Sequence, residues 1–270
     1  MARTRRFLIT GATGKQGGAI VNSLVECRAN LPSNEKFEAL CLTRNTTSEK
    51  AVALASNEGV SAIAGNLFFP LSAFDKFGPI DAVFRMTCPG DLGDEESKPL
   101  PSSTPASPTG SSTLSLRAWT VVSKYNAEEY LKAKCAESHM TWTILRLAGF
   151  MDNLMPNFTG KRFAAIWAQI GEKPLQLVSV KDIAHFGAIA LLQPEEYAGR
   201  AIGLAGDELN FVKAQKVFRH TMGYEMPRAW TFVASLIAFA LPEMGQMFKW
   251  LREEGYGVDI EGLKEEYPEL

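Results

Sequence analysis

The chain opens with a short apolar run that leads directly into closely spaced glycines, in the sequence FLITGATGKQGG at residues 7–18. The apolar run predicts a strand, and a helix-compatible stretch follows to about Cys27. Lacking a Cβ, Gly11 permits a tight turn, Gly14 lets a pyrophosphate approach the backbone, and Gly17 lets the helix pack against the strand. The pattern predicts a dinucleotide-binding turn whose helix N-terminus supplies N–H groups to an anion, the alternative being a merely flexible turn.

A second apolar run, FEALCLT at residues 37–43, predicts the next strand and indicates which dinucleotide is bound. NAD-specific folds usually place an acidic residue at its end, where this chain has Thr43 and Arg44. A guanidinium can form two charge-assisted hydrogen bonds with a 2′-phosphate, and Asn45 and Thr46 add neutral donors. The chain is therefore predicted to prefer NADP(H) over NAD(H). The alternative is a solvated surface arginine.

Composition limits the partners. The 270 residues are 46% hydrophobic with a formal net charge of −2, which suits one large domain or a domain with a smaller lobe and gives no support for nucleic-acid or anionic-membrane binding. The apolar run at residues 232–241 is too short to span a bilayer, so we expect no membrane association and a cytoplasmic protein. Four cysteines and three histidines lack metal-site spacing, so reduced thiols and no metal are predicted.

Strands and helices alternate along the first part of the chain, which predicts an α/β fold of the doubly wound type, a parallel sheet with helices on both faces. Further strands are predicted at residues 60–65, 81–87, 114–122 and 141–147, with short helices near 47–58 and 71–77 and a long one at 124–138.

Residues 89–113 interrupt this alternation. The segment is rich in Pro, Ser, Gly and acidic residues and has neither helical nor strand periodicity, so it predicts a disordered insert. We predict a dinucleotide-binding domain at residues 1–148 and a smaller, mostly helical lobe at 149–270, with about 174–206 returning to the sheet of the first domain.

Six motifs of the chain resemble those of the NmrA-like family of atypical short-chain dehydrogenase/reductases, and they occur in the family's order. They are TGATGKQGG, LTRN, GNL, TILRLAGFMDN, VKDIA and YAGRAIGLAGDELN, and the resemblance covers residues 6–87 and about 121–270. It implies a Rossmann domain with NADP(H) preference and a smaller C-terminal domain. The family includes oxidoreductases and also redox-sensing regulators that bind the cofactor without obvious turnover.

The resemblance also implies roles for individual residues. Arg44 would hold the 2′-phosphate, and Asn66 falls where the family usually has an aspartate near the adenine; an amide can still donate and accept there. Thr87, Lys124 and Phe150 complete the expected cofactor contacts. The pyrophosphate would be held by the turn residues Gly11, Thr13, Gly14, Lys15, Gln16 and Gly17.

The chain departs from the family after the fourth strand. A crossover helix and a fifth strand are expected there, and the irregular segment 89–113 stands in their place. We therefore expect a sheet that lacks one strand or carries an irregular one. An altered gene product is the alternative explanation of this segment.

A second departure concerns catalysis. Short-chain reductases use Tyr-x-x-x-Lys, in which the lysine lowers the tyrosine pKa for proton exchange with a carbonyl oxygen. Lys124 resembles the family's lysine, but Thr120 stands four residues before it, and threonine is a poor proton donor. Lys124 is the one catalytic candidate, a surface lysine being the alternative. The literal match at Tyr130 and Lys134 lies mid-helix and is interpreted as a chance pair.

Two functions stay open. One is an NADP(H)-dependent oxidoreductase that acts on a small organic substrate, with Lys124 orienting the nicotinamide ribose. The other is a non-catalytic redox sensor or transcriptional regulator that acts through a protein partner, in the cytoplasm and also in the nucleus. The aromatic-rich segment after residue 149 is expected either to line an apolar pocket over the nicotinamide or to be plain core; its members are Phe150, Met151, Phe158, Phe163 and Trp167.

Overall fold

The computed structural model describes residues 4–32, 35–65, 78–86, 112–117, 121–228 and 242–268. The chain divides into two compact units, Met1–Arg146 with Lys181–Ile202, and Leu147–Val180 with Gly203–Leu270. The sequence predicts a boundary between two domains at residue 148, and this boundary stays a prediction.

The strands and helices of the described residues are as follows. The strands are β1 Thr4–Thr10, β2 Lys36–Thr43, β3 Val60–Ala64, β4 Ala82–Met86, β5 Ser112–Arg117, β6 Thr141–Leu147, β7 Gly149–Phe150, β8 Leu175–Val178, β9 Arg200–Leu204 and β10 Asp207–Leu209. The helices are α1 Lys15–Arg28, α2 Glu49–Ala55, α3 Val121–Ala136, α4 Phe158–Ile170, α5 Val180–Leu192, α6 Pro194–Tyr197, α7 Phe211–Met222, α8 Pro242–Glu253 and α9 Ile260–Glu266, with a 3-10 turn at Met151–Asn153.

Seven of the strands form one sheet in the order β3-β2-β1-β4-β5-β6-β9. Each neighbouring pair from β3 to β6 is parallel. The order 3-2-1-4-5-6 is that of doubly wound α/β folds, so the predicted fold class is confirmed. The strand order reverses at β1, which lies between β2 and β4, and ligands of such sheets bind beyond the carboxyl ends of the strands at this reversal.

The fifth strand is regular, which corrects the expectation of a missing or irregular one. Ser112 is in register with Ala82 of β4 on one side and with Thr141 of β6 on the other. The strand therefore begins within the segment that was predicted to be irregular, because backbone pairing on both sides does not depend on apolar side chains. The connection at residues 87–111 and the helix predicted at 71–77 lie outside the described residues.

Apolar side chains cover both faces of the central strands. Leu8 and Leu40 pack with Ile63 and Ile80 on one face, and Phe7 stacks on Phe37 with ring centres 5.5 Å apart. Arg28, the last residue of α1, donates hydrogen bonds to the carbonyl of Phe37, at 2.7 Å, and to that of Glu58. The C-terminal end of α1 is thereby tied to the strands, which fixes the helix whose other end begins at the glycine turn.

The second unit has its own small sheet and core. β8 pairs antiparallel with β10 and parallel with β7. The fully buried Trp167 of α4 packs against Phe211 of α7, with ring centres 5.9 Å apart. The Gln176 side chain of β8 donates to the carbonyl of Val258 and accepts from its N–H, at 2.8 and 2.9 Å, which anchors the segment before α9. In the part of the chain that the structure describes, no helix has the length and apolarity needed to cross a membrane.

Candidate functional site

The glycine turn connects β1 to α1 at the point where the strand order reverses. Gly11 has φ of +64°, a conformation that L side chains rarely adopt, and its carbonyl accepts a 2.9 Å hydrogen bond from the N–H of Gly14. A Cβ on Gly17 would lie 2.4 Å from the Gly11 oxygen and 2.7 Å from its carbonyl carbon. The start of α1 therefore packs directly on the turn backbone, and only glycine fits at residue 17.

The N-terminus of α1 has no side-chain cap. Gly14 is its N-cap residue and carries no acceptor, so the first N–H groups of the helix lack the partner that a capping side chain supplies. Among the described helices, α2, α4, α7 and α9 are capped through a side-chain oxygen, of Ser48, Asn157, Asn210 and Asp259 respectively. Together with the helix dipole, the uncapped N–H groups make this end of α1 suited to an anion.

Two buried polar side chains next to the turn add to this arrangement. Gln16 is 8% exposed and Thr10 is 4% exposed. Among the described residues, neither Gln16 Oε1 nor Thr10 Oγ1 has a hydrogen-bond partner. Burying such a group without a partner costs about 1–3 kcal/mol, so a donor supplied by a ligand would offset this cost at either oxygen. A dinucleotide carries ribose hydroxyls that can donate to them, so the residues present fit this cofactor.

Arg44 lies in the turn between β2 and α2, and side-chain hydrogen bonds within this turn fix its backbone. Asn45 Oδ1 accepts hydrogen bonds from the Thr47 N–H, at 2.9 Å, and from the Thr47 hydroxyl, at 2.8 Å. Ser48 caps α2 by accepting from the Ala51 N–H. The Arg44 side chain is exposed, and within the described residues its guanidinium makes no hydrogen bond or ion pair. It is therefore available to an anionic group at the end of β2.

A cavity of about 380 Å³ lies between α1 and α2 beside the glycine turn. Small residues of both helices leave this space open, and two lysines, Lys15 and Lys50, line it. The full lining consists of Ala12–Lys15, Gly18, Ala19, Asn22, Lys50, Ala53 and Leu54. Sequence reasoning assigned Lys15 to the cofactor and missed Lys50, since the packing of two helices brings these residues together and no local motif marks it.

The other predicted cofactor residues are less fully described. Asn66 and Thr87 lie outside the described residues, as does Thr120. Lys124 lies in the first turn of α3, of which the structure describes the backbone at this position. Phe150 is half-buried in β7, in register with Val178 of β8, and belongs to the second unit.

The side chains of the aromatic-rich segment, which were expected to line a pocket or to belong to the core, differ in how deeply they are buried. Trp167 is completely buried and belongs to the core of the second unit. Phe163 and Met151 are partly buried against that core. Phe158 is 64% exposed and packs under the Arg162 guanidinium at 5.4 Å. Core packing therefore accounts for Trp167, which removes it from the candidates for a substrate pocket.

Tyr130 and Lys134 do not form the tyrosine–lysine pair of a reductase. The Lys134 ammonium donates a 2.7 Å hydrogen bond to Glu137, which raises the pKa of Lys134, and lies 5.9 Å from the centre of the Tyr130 ring. A lysine paired with a carboxylate is poorly suited to lower the pKa of a tyrosine. This geometry supports the interpretation of a chance pair.

The described cysteines are not arranged for thiol chemistry. Burial raises the pKa of the Cys41 thiol to about 12 and also raises the pKa of Cys27 and Cys135. These thiols are protonated at neutral pH and are poor nucleophiles. Within the ranges described above, no group of three or more His, Cys, Asp or Glu side chains is placed to hold a metal.

No model of a known protein family matches this sequence, and no curated protein matches it. Solved structures do match the fold. The chain is 16% identical to the NADPH-dependent quinone oxidoreductase QOR2 of Escherichia coli in complex with NADPH, with a TM-score of 0.65 over 96% of this chain and 93% of that one. It is 15% identical to the triphenylmethane reductase of Citrobacter sp. complexed with NADP(H), with a TM-score of 0.63 over 97% of this chain and 94% of that one.

A third similar structure is that of NmrA, a negative transcriptional regulator, at 14% identity and a TM-score of 0.63 over 99% of this chain and 92% of that one. At these identities the likeness concerns the fold. The chain thus has the Rossmann-type fold of NmrA and of these two reductases, which agrees with the resemblance found in the sequence motifs.

Proposed function

We propose that this protein is an NmrA-type protein that binds NADP(H) at the glycine turn between β1 and α1. The observation that carries the proposal is the uncapped N-terminus of α1, packed so closely on the turn that Gly17 has no room for a side chain. This is the arrangement that a pyrophosphate requires. Two proteins of the same fold, QOR2 and triphenylmethane reductase, were crystallised with NADPH and NADP(H).

Different residues at and near the turn contact different parts of the dinucleotide. The first N–H groups of α1 bind the pyrophosphate, and the buried oxygens of Gln16 and Thr10 accept hydrogen bonds from the cofactor. Arg44 pairs with the 2′-phosphate and thereby favours NADP(H) over NAD(H). Asn66, Thr87 and Phe150 remain proposed contacts to the rest of the cofactor.

The reaction we propose is that of an NADP(H)-dependent oxidoreductase acting on a small organic substrate. When bound, the nicotinamide supplies or accepts a hydride. Lys124 orients the nicotinamide ribose from the first turn of α3. The support for this class is that proteins of the same fold include two reductases that differ in substrate.

A second candidate function is a redox sensor that binds NADP(H) without turnover and acts through a protein partner. By the resemblance to the family, Thr120 falls at the position where reductases of the short-chain class have their proton-donating tyrosine. Because threonine is a poor proton donor, this substitution favours binding over catalysis. NmrA, a transcriptional regulator with the same fold, supports this candidate.

Two parallel assays distinguish the candidates. NADPH oxidation is measured against a panel of quinones, enones and aldehydes, and partner proteins are captured with and without NADPH. Substrate-dependent oxidation of NADPH supports the oxidoreductase. A partner that binds only in one cofactor state, with no turnover across the panel, supports the sensor.

Arg44→Ala is expected to weaken NADPH binding by roughly 2–3 kcal/mol, because two charge-assisted hydrogen bonds to the 2′-phosphate are lost. NADH has no 2′-phosphate, so its affinity should be nearly unchanged. Calorimetric titration of both cofactors measures the difference. Arg44→Lys is the matched control: it keeps the charge without the two-pronged donor and should lose less. Equal losses for NADPH and NADH would contradict this role of Arg44.

A further inference from the structure

One face of α7 combines exposed apolar and basic side chains. Of the eight large apolar side chains that are exposed in the part of the chain that the structure describes, four lie within residues 212–224: Val212, Val217, Met222 and Tyr224. Val212 and Val217 lie in the body of the helix, and each is 54% exposed. Valine is a poor helix former, and a valine this exposed contributes little to the core. Neither helix stability nor core packing therefore accounts for these two valines.

Two lysines lie on the same face as the valines. The spacing i, i+3, i+4 and i+7 places four residues on one side of the helix: Lys213, Lys216, Val217 and His220. Val212 is four residues before Lys216 and adjoins them. All five side chains are exposed, and we call these residues the basic face of α7. Among the described residues, the ammonium groups of Lys213 and Lys216 make no hydrogen bond or ion pair.

Acidic side chains nearby do not neutralise these cations. α7 contains no Asp or Glu, and Glu225, the one acid in residues 209–228, accepts hydrogen bonds from Gln215 and Arg219, each at 2.9 Å. On α3, by contrast, Lys132 and Lys134 each pair with a glutamate three residues away. A solvated charged face would account for unpaired lysines but not for the valines beside them. The combination is complementary to a segment that presents both carboxylates and apolar side chains.

The packing of α7 favours a protein partner over a membrane surface. The opposite face of the helix is occupied, because Phe211 and Ala214 belong to the core around Trp167. A helix that binds a membrane surface buries its main apolar face in lipid, and in α7 that face is already in the core. Two helices that pack side by side, by contrast, use residues spaced i, i+3, i+4 and i+7, with opposite charges facing each other across the contact.

We propose that the basic face of α7 is the docking surface for an acidic, amphipathic helix of a protein partner. Carboxylates of the partner pair with Lys213 and Lys216, and its apolar side chains cover Val212 and Val217. This goes beyond NADP(H) binding, since the face contains none of the residues proposed to hold the cofactor. It rests on the proposed function only in that the sensor candidate requires a protein partner.

The test is the fluorescence anisotropy of labelled peptides titrated with the full chain. The probe is a helical peptide about four turns long, in which leucines at i, i+3, i+4 and i+7 are flanked by glutamates. Two companion peptides have serine in place of each leucine, or lysine in place of each glutamate. We expect saturable binding of the first peptide alone. Added salt should weaken this binding, because the ion pairs that form are close to solvent.

Two variants test the two kinds of side chain on this face. Lys216→Glu is expected to weaken binding at least about tenfold, because it turns a like charge towards the peptide. The introduced carboxylate stands three and four residues before Arg219 and His220, a spacing that favours the helix, so the fold is retained. Val217→Ser removes part of the apolar contact and should weaken binding about three- to fivefold.

Matched controls lie in the first unit. Lys36→Glu changes an exposed lysine of β2, and Val52→Ser changes a valine of α2 that is 56% exposed. Both variants should bind the acidic peptide like the wild type. Losses in the controls equal to those in Lys216→Glu and Val217→Ser would mean unspecific attraction and would overturn the proposal.

The remaining outcomes are also decisive. Binding of the acidic peptide that falls in Lys216→Glu and in Val217→Ser supports the docking surface. No binding by the wild type, or equal binding of either companion peptide, would overturn it. Vesicles of phosphatidylcholine and phosphatidylserine are titrated in parallel, and binding to vesicles without binding to the peptide would assign the face to a membrane and overturn the protein partner. A chain that binds no NADPH would overturn the cofactor proposal and leave the peptide titration readable, so the two failures are distinct.

Discussion

Replacing Gly17 by alanine is expected to lower the affinity for both NADPH and NADH by roughly a hundredfold, or about 3 kcal/mol. The added Cβ would lie 2.4 Å from the Gly11 oxygen and 2.9 Å from the Ala12 nitrogen, and both are backbone atoms that cannot rotate away. The turn must move away from α1 to relieve the clash, which displaces the N–H groups from the pyrophosphate. Calorimetric titration with each cofactor measures the loss.

Gly18→Ala is the matched control for this prediction. Its Cβ would lie 3.0 Å from the Ala12 oxygen, a contact that a small local shift relieves. Alanine also stabilises a helix interior by about 0.5–1 kcal/mol relative to glycine, which offsets part of that strain. Affinity should therefore fall much less in Gly18→Ala than in Gly17→Ala. Wild-type affinity in Gly17→Ala would show that the turn does not bind the dinucleotide.

Trp167→Ala is expected to destabilise the second unit by about 3–5 kcal/mol, because it leaves a large cavity in a fully buried core. The ring of Trp167 lies 5.9 Å from that of Phe211 and 6.1 Å from that of Phe163, so the aromatic contacts on both sides are lost. The free energy of unfolding is measured by guanidinium titration followed by far-ultraviolet circular dichroism.

Two variants keep this second prediction specific. Trp167→Phe should lose far less stability, since it retains a ring and removes an indole Nε1 that has no hydrogen-bond partner among the described residues. Trp250→Ala removes a half-buried tryptophan from the same unit and should also cost less. If Trp167→Ala kept wild-type stability and lost only turnover or ligand binding, Trp167 would belong to a substrate pocket and not to the core.

Local features of the site were predictable from the sequence. The glycine turn is a contiguous motif in which each residue type follows from backbone geometry, and Arg44 follows its strand directly. The strand at Ser112–Arg117 was harder to place because its first residues are Ser and Thr, and the pairing that defines it involves residues 30 positions away, as Ser112 with Ala82. Lys50 was not predictable, because helix packing brings it beside Lys15.

The aromatic-rich segment gives the complementary lesson. Phe158 and Trp167 are both aromatic and lie in the same helix, α4. Phe158 is nevertheless 64% exposed, whereas Trp167 is 0% exposed. The two side chains differ in exposure because α7 covers only one face of α4, through Phe211 and Ala214. These covering residues lie more than forty positions further along the chain. Sequence periodicity indicates a buried face and does not say whether protein or ligand covers it.

The division of the chain has a consequence for how the protein can be taken apart. The polypeptide passes between its two units three times, after residues 146, 180 and 202, so neither unit is a continuous segment. Truncation at residue 146 removes β9, which pairs with β6 at the border of the sheet. No single cut releases the first unit intact, and a fragment made to isolate it would expose an unpaired strand edge prone to self-association.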